Sequence, residues 1–180
     1  MKRIRSLLSA LFARLGLRHA PTIAGARGAT ARQGLWGERQ AERELLHEEE
    51  ARKDGLRVVG RRVRVGRDEI DLVLERPEKR DGPGRLLVFV EVKTRSSEAF
   101  GGGRAAMTAR KRHALCRAVA RYLRREPPTP FRIDLVEVYG DAAVNRLDRV
   151  VHHRNAVPME RRFDAPALAR PRRRSAFPNP

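Results

Sequence analysis

The sequence predicts an α/β domain in which helices flank a mixed β-sheet, with the element order αβββαβ. Charged, helix-favouring segments alternate with short runs rich in β-branched residues. One of these runs, LLVFVEVK at Leu86–Lys93, is almost wholly apolar, which is typical of a strand covered on both faces. A predicted helix and another strand follow it, and this order implies a parallel crossover.

The first helix is predicted at Leu35–Lys53, where the chain is charged and helix-favouring, and Gly55 is placed to end it. Two β-rich runs follow, at Leu56–Val65 and Glu69–Glu75. Pro and Gly residues in 76–85 predict a turn between the second run and the apolar strand. These two strands are therefore predicted to form an antiparallel hairpin.

The second helix is predicted from about Ala105 to Arg125, where apolar residues recur at helical spacing and a Pro-rich stretch follows. The run FRIDLVEV at Phe131–Val138 predicts the strand after the crossover. Arg149–His153 is a candidate for one more strand.

Residues 34–157 are predicted to form one domain, preceded by a basic extension and linker (1–33) and followed by a disordered Arg/Pro-rich tail (158–180). The tails carry most of the net charge of +18, which attracts polyanions such as nucleic acid or anionic lipid. Ile4–Leu15 has helical spacing and basic neighbours, so it could contact a membrane or DNA, or be a loosely docked extension. No stretch is long and apolar enough to span a membrane, and the single cysteine, Cys116, excludes a disulfide framework. We therefore expect a cytoplasmic protein.

Acidic residues on the two strands of the hairpin form the main candidate site. If these strands pair through the predicted turn, Asp71 lies opposite Val90 or Glu91. Opposed carboxylates about 5 Å apart repel and raise each other's pKa unless a cation lies between them. Asp71 and Glu91 are therefore predicted to bind Mg²⁺ or Mn²⁺.

Two further residues complete the predicted catalytic set. Lys93 shares a strand face with Glu91, where a lysine can orient or deprotonate an attacking water, or stabilise charge on a phosphoryl group. Glu38 aligns with the helix face expected to be buried, and it is predicted to reach over the sheet as a metal or water ligand. The alternatives are a simple salt bridge between Glu91 and Lys93, a solvating role for Asp71 at the end of its strand, and a helix N-terminal role for Glu38.

Basic residues on the second helix are candidates for contacts with a phosphate backbone. Lys111 lies at the edge of the apolar stripe, where it could touch a phosphate or extend to solvent. The predicted nucleic-acid-binding residues are Arg95, Arg110, Lys111, Arg117 and Arg121. Residues judged less informative are His47, His113, His152 and His153, which have no metal-ligand spacing, and Gly101–Gly103, interpreted as a flexible edge.

Five blocks of sequence resemble the YraN-like family of bacterial proteins, which is similar to the PD-(D/E)xK superfamily of Holliday junction resolvases and restriction enzymes. The blocks are GLWGERQAERELL, DEIDLVL, VFVEVKTR, FGGGRAAMTARKRHAL and FRIDLVEV, within about residues 34–157. The resemblance implies a restriction-endonuclease-like fold. It also implies that Asp71 and Glu91 bind the metal, that Lys93 is the catalytic lysine and that Glu38 corresponds to a helix glutamate of resolvase-like members.

One residue departs from the family pattern. Asp68 stands where the family usually has glycine, which adds a negative charge near the site and leaves the number of metal ions open. Glu69 is typical of the family, but the resemblance assigns it no role.

The sequence therefore predicts a Mg²⁺-dependent endonuclease that hydrolyses DNA phosphodiester bonds, for example in branched or damaged DNA, through a metal-activated water. The alternative is a non-catalytic nucleic-acid-binding accessory in recombination or DNA uptake. A third hypothesis is a peripheral membrane protein that uses residues 1–18. Resolvase-like action would suggest a homodimer, although the sequence shows no interface.

Overall fold

The computed structural model describes residues 18–19, 28–47, 55–77, 84–95, 107–161 and 163, and these form one six-stranded mixed sheet with two helices. The helices are α1 (Ala29–His47) and α2 (Ala109–Leu123). The strands are β1 (Arg18–His19), β2 (Arg57–Val65), β3 (Asp68–Arg76), β4 (Leu86–Arg95), β5 (Phe131–Asp141) and β6 (Arg146–His153). They stand in chain order, and only β4 and β5 are parallel. The predicted fold class and the parallel crossover are confirmed.

The two helices pack on opposite faces of the sheet. Residues of β4 alternate between two apolar clusters, with Phe89 in the cluster that contains α2, and Val88 and Val90 in the cluster that contains α1. This alternation explains why the β4 sequence is apolar throughout, as predicted for a strand covered on both faces.

The helix α1 begins at Ala29, inside the stretch interpreted as a linker and before the predicted start at Leu35. A polar contact anchors this early turn to β5 and its following turn. The Gln33 side-chain amide donates to the carbonyl of Gly140 at 2.8 Å and accepts from the backbone N–H of Ala142 at 2.9 Å. Such a contact leaves no apolar periodicity in the sequence, so it was not predictable.

Contacts of the domain also extend past residue 157, the predicted end of the folded region. Val157 is buried, and the partly buried Met159 and Phe163 pack against the cluster that contains α2. The imidazole Nδ1 of His113 lies 3.1 Å from a Glu160 carboxylate oxygen. Several predicted features lie outside the described residues: Ile4–Leu15, the end of the first helix at 48–53, Gly101–Gly103 and the tail from 164 onward.

The strands β3 and β4 separate before they end. Their paired positions run from Arg76 and Leu86 to Leu72 and Val90, and no pair follows. Beyond that point β3 continues along β2, while β4 continues along β5. We call this opening the fork; its sides are residues 68–71 of β3 and 91–95 of β4.

Candidate active site

Asp71 lies where the fork opens. Extending the β3–β4 register by one position places it opposite Glu91, one of the two predicted partners. Its Oδ2 accepts the backbone N–H of Val92 at 2.8 Å, so the side chain replaces a backbone carbonyl where the strands part. Burial, followed by the nearby charge of Glu91, raises the pKa of Asp71 to about 7.

Glu91 is the most enclosed carboxylate at the fork, with a side chain only 1% exposed. Its Oε1 lies 2.5 Å from the Lys93 ammonium and 3.3 Å from the Lys111 ammonium. Its Oε2 is buried and has no hydrogen-bond partner in the described part of the chain. A buried carboxylate oxygen without a partner is costly, so this atom marks a place where a further ligand would be stabilised.

Lys111 reaches the fork from the first turn of α2. The Thr108 hydroxyl caps this helix by accepting the backbone N–H of Lys111 at 3.2 Å. Burial would lower the pKa of the Lys111 ammonium, but the carboxylates of Glu91 and Asp71 outweigh it and raise that pKa. The sequence left open whether Lys111 lies beside the site or extends to solvent. Its contact with Glu91 shows that the side chain lies at the site.

Close packing of α1 on β4 positions Glu38. A Cβ added to Gly37 would lie 1.8 Å from the Thr94 hydroxyl oxygen and 2.8 Å from the Thr94 Cβ, so only glycine permits this approach. The neighbouring Glu38 carboxylate lies 4.0 Å from the Arg62 guanidinium Nε. Burial raises the pKa of Glu38 to about 7, against the opposing charge of Arg62.

Arg62 is a residue of this site that sequence reasoning missed. It lies on β2 between the residues that pair with Leu72 and Ile70, so it stands opposite Asp71. Its φ is 47°, a left-handed backbone conformation that is rare in a strand. Its guanidinium also pairs with Glu69 at 3.0 Å, which gives that carboxylate a structural role. Ile70 and Leu72 are two residues apart, so regular alternation would place them on the same face of the sheet. Ile70 instead packs in the cluster that contains α2, and Leu72 packs in the cluster that contains α1, so the alternation is interrupted here.

Two of the predicted nucleic-acid-binding arginines have acidic partners within the domain. Arg117 holds Asp68 through two hydrogen bonds of 2.8 and 2.7 Å, which lower the pKa of that aspartate. The extra charge of Asp68 is thus compensated by α2 rather than left open beside the site. The Arg95 Nε lies 3.6 Å from a carboxylate oxygen of the buried Glu137.

Arg110 and Arg121 complete the predicted set. Arg110 is exposed in the first turn of α2. The guanidinium of Arg121 packs against the turn between β2 and β3, close to Gly66. Of the five predicted nucleic-acid-binding residues, Lys111 is the one that contacts Glu91.

The donor set at the fork suits a hard divalent cation. In the described part of the chain, no three His, Cys, Asp or Glu side chains converge tightly enough to enclose a metal. Asp71 and Glu91 would therefore supply two carboxylates, with water and substrate oxygens as the remaining ligands, which is the usual coordination of Mg²⁺ in phosphoryl chemistry. The charge of Glu38 helps to raise the pKa of Asp71, which places the two carboxylates near each other. A contact between Glu38 and the metal through water remains a prediction.

Comparison with known proteins identifies a family whose model matches this chain. A model described as uncharacterised protein family UPF0102 matches residues 37–138, a range that includes the catalytic residues predicted above. The chain is 45% identical over 105 residues to a UPF0102 protein of Paracidovorax citrulli, covering 56% of this chain and 71% of that protein. It is 40% identical over 116 residues to a UPF0102 protein of Dechloromonas aromatica, covering 64% and 86%. Separately, no helix among the described residues is long and apolar enough to cross a membrane.

Proposed function

We propose, from the premise that the chain belongs to the uncharacterised protein family UPF0102, that it is a metal-dependent endonuclease that hydrolyses DNA phosphodiester bonds. The membership agrees with the YraN-like resemblance, whose fold is that of restriction-endonuclease-like nucleases. The family description names no activity, so the proposal depends on the site.

The buried Oε2 of Glu91 is the observation that carries the proposal. This oxygen has no hydrogen-bond partner in the described residues, and the neighbouring Asp71 has a pKa raised to about 7. Two adjacent carboxylates that are short of partners destabilise a fold unless a cation binds between them. Such a pair is therefore more easily explained by a metal-binding function than by stability.

Five residues in or next to the fork divide into three roles in the proposed reaction. Asp71 and Glu91 would hold Mg²⁺, which supplies Lewis acidity and lowers the pKa of a bound water. Lys93 and Lys111 direct their ammonium groups at Glu91 Oε1, where they can stabilise charge that develops on a phosphoryl group. Glu38, whose pKa is raised to about 7, can accept a proton or position a water near neutral pH.

Nicking of supercoiled plasmid tests this proposal. The unaltered protein should nick or linearise the plasmid with Mg²⁺ and not with EDTA, whereas Asp71→Asn and Lys93→Ala should lose cleavage by about a hundredfold or more. Asp148→Asn is the matched control, because Asp148 is exposed on β6 and pairs with Arg146 at 3.0 Å. Cleavage that persists in both fork variants would remove the proposed site.

The non-catalytic alternative makes a different prediction. An accessory protein with a vestigial site would bind DNA with strong salt dependence and would respond to neither Mg²⁺ nor the fork substitutions. The two ammonium groups at Glu91 Oε1 favour this alternative in one respect, because they already compensate part of the negative charge. Calorimetric titration with Mn²⁺ separates the two functions, since only the nuclease requires a stoichiometric metal site.

A further inference from the structure

A second polar cluster lies on the same face of the sheet as the Glu91 carboxylate. It centres on Glu137 of β5, which stands beside Lys93 in the parallel register and is 3% exposed. The Tyr139 hydroxyl donates to Glu137 Oε1 at 2.8 Å, and the Arg95 Nε lies 3.6 Å from the same oxygen. The imidazole Nε2 of His153 lies 2.7 Å from Oε2. Both oxygens of this carboxylate are therefore occupied.

This arrangement differs from that of Glu91. A carboxylate whose two oxygens already have partners is a poor metal ligand, and Glu137 instead holds the ring of His153 in one orientation. With Nε2 turned towards Glu137, Nδ1 lies on the other side of the ring. The side chain of His153 is 30% exposed, and no partner for Nδ1 occurs in the described ranges. The cluster thus presents one oriented ring nitrogen to a ligand.

The sheet register places His153 relative to the fork. His153 pairs with Leu135, and Leu135 in turn stands beside Glu91, so His153 lies in line with Glu91 two strands away. Neighbouring strands are separated by about 4.8 Å, which puts the two Cα atoms about 10 Å apart. An imidazole is too short to contact a phosphoryl group held at Glu91 from there. It is well placed for a phosphate further along the same strand of nucleic acid.

We propose that His153, held by Glu137, binds a backbone phosphate adjacent to the one that is hydrolysed. The substrate strand then crosses the sheet from the fork, over β5, to β6. The inference rests on the proposed function for the identity of its ligand. In the bound complex Nδ1–H donates a charge-assisted hydrogen bond to a phosphate oxygen, while Nε2 keeps its contact with Glu137.

Binding without cleavage tests this subsite. The full chain is titrated into a fluorescein-labelled branched DNA in EDTA, and affinity is followed by fluorescence anisotropy. His153→Ala should weaken binding by about tenfold, the value of one charge-assisted hydrogen bond, and should reduce the salt dependence by about one phosphate.

His152 provides a matched control on the neighbouring position. Its Nε2 lies 2.9 Å from the carboxylate of Asp134, so it also belongs to an acid–imidazole pair between β5 and β6. Asp134 stands beside Val90, a residue of the α1 cluster, and this pair therefore faces the other side of the sheet. His152→Ala should lower thermal stability and leave the affinity for DNA unchanged.

A conservative variant tests the chemistry of the ring. His153→Asn places an uncharged amide donor near the position of Nδ1, so it should keep part of the affinity that His153→Ala loses. Because the amide carries no charge, it should not restore the full affinity of a charge-assisted hydrogen bond.

Three results would overturn the inference: no DNA binding by the unaltered chain in EDTA, equal affinity in His153→Ala, or an equal loss in His152→Ala. The last result would mean that β6 merely needs to be intact. A loss specific to His153 in a protein that never cleaves DNA would support the subsite and reject the proposed hydrolysis. Metal-dependent cleavage by a His153→Ala variant of normal affinity would reject the subsite and support the proposed hydrolysis.

Discussion

Two aspartates on neighbouring regions of the sheet have opposite electrostatic environments. Asp134 on β5 is fully buried and accepts hydrogen bonds from Asn155 N–H at 2.7 Å, His152 Nε2 at 2.9 Å and Arg132 Nε at 3.0 Å. Burial alone would raise its pKa, but these partners outweigh that effect and lower it. Asp71 at the fork accepts one backbone N–H beside another carboxylate, and its pKa is raised to about 7.

The difference separates a carboxylate whose charge the protein compensates from one whose charge it leaves uncompensated. At Asp134 the cost of burying a charge is met by donors from three positions, so ionisation stabilises the folded chain. At Asp71 the same cost is not met by the protein, and ionisation destabilises the fold until something else supplies positive charge. Strongly raised carboxylate pKa values of this kind cluster at functional sites.

The largest expected effect is a loss of stability in Asp134→Asn. The substitution removes the charge that pairs with His152 and Arg132 inside the protein, and the free energy of unfolding should fall by about 3 kcal/mol. Urea unfolding followed by circular dichroism measures it, with the exposed Asp148→Asn as control. A loss no larger than that of the control would mean that Asp134 does not stabilise the fold as described.

The same chemical change at the fork should have the opposite sign. In Asp71→Asn the amide oxygen can still accept the N–H of Val92, while the repulsion with Glu91 disappears. A difference of one between the folded and unfolded pKa values of Asp71 corresponds to about 1.4 kcal/mol in the free energy of unfolding, and water that enters the fork reduces the summed effect. We expect a gain of about 2 kcal/mol at about pH 8 in EDTA. A destabilised variant would contradict the comparison.

Metal binding and pH should be linked through the fork. The folded-state pKa values of Asp71 and Glu38, about 7, exceed the ordinary values of 3.8 and 4.5, so the folded chain binds more protons than the unfolded chain within this window. Their contribution to the stability of the metal-free protein is therefore full below the ordinary pKa values and is lost as pH rises through about 7. Mg²⁺ at about ten times its Kd should restore about 1.4 kcal/mol at about pH 8 and much less at about pH 5.

Thermal unfolding of the unaltered protein, with Asp71→Asn as reference at each pH, measures this linkage. Subtracting the stability of Asp71→Asn from that of the unaltered protein removes the contribution of carboxylates that both proteins share. Asp134 is one of these, and because its pKa is lowered, its contribution to stability is lost as pH falls. Equal stabilisation by Mg²⁺ in both proteins would place the metal elsewhere.

The smallest expected effect concerns the packing that carries Glu38. Gly37→Ala forces a Cβ against Thr94, so α1 must shift, and stability should fall by about 1 kcal/mol together with cleavage activity. Gly34→Ala is a control in the same helix, because its Cβ would meet no atom within 4 Å and should increase helix stability slightly. Equal behaviour of the two variants would mean that the close contact does not position Glu38.

Much of the fold was predictable from the sequence because its signals are local. Apolar runs and the Pro/Gly turn predict strands, and helical spacing predicts α2, within a few residues of the observed bounds. The hairpin register followed from turn position, so Asp71 opposite Glu91 was among the predicted pairings. Alternation along β4 also predicted that Glu91 and Lys93 share a face, and their contact confirms it.

The remaining features depend on contacts between distant segments, which leave no periodic signal. The Gln33 anchor, the packing of Gly37 on Thr94 and the left-handed Arg62 each require knowledge of which surfaces meet. The histidines of β6 had no metal-ligand spacing, and only the sheet brought His153 to Glu137. The sequence alone thus determined strands β2 to β5, the hairpin register to within one residue, and the acid, acid and lysine of the fork, since these follow from short-range pattern. Tertiary packing decided which carboxylates found partners, because burial and charge compensation arise only when the layers assemble.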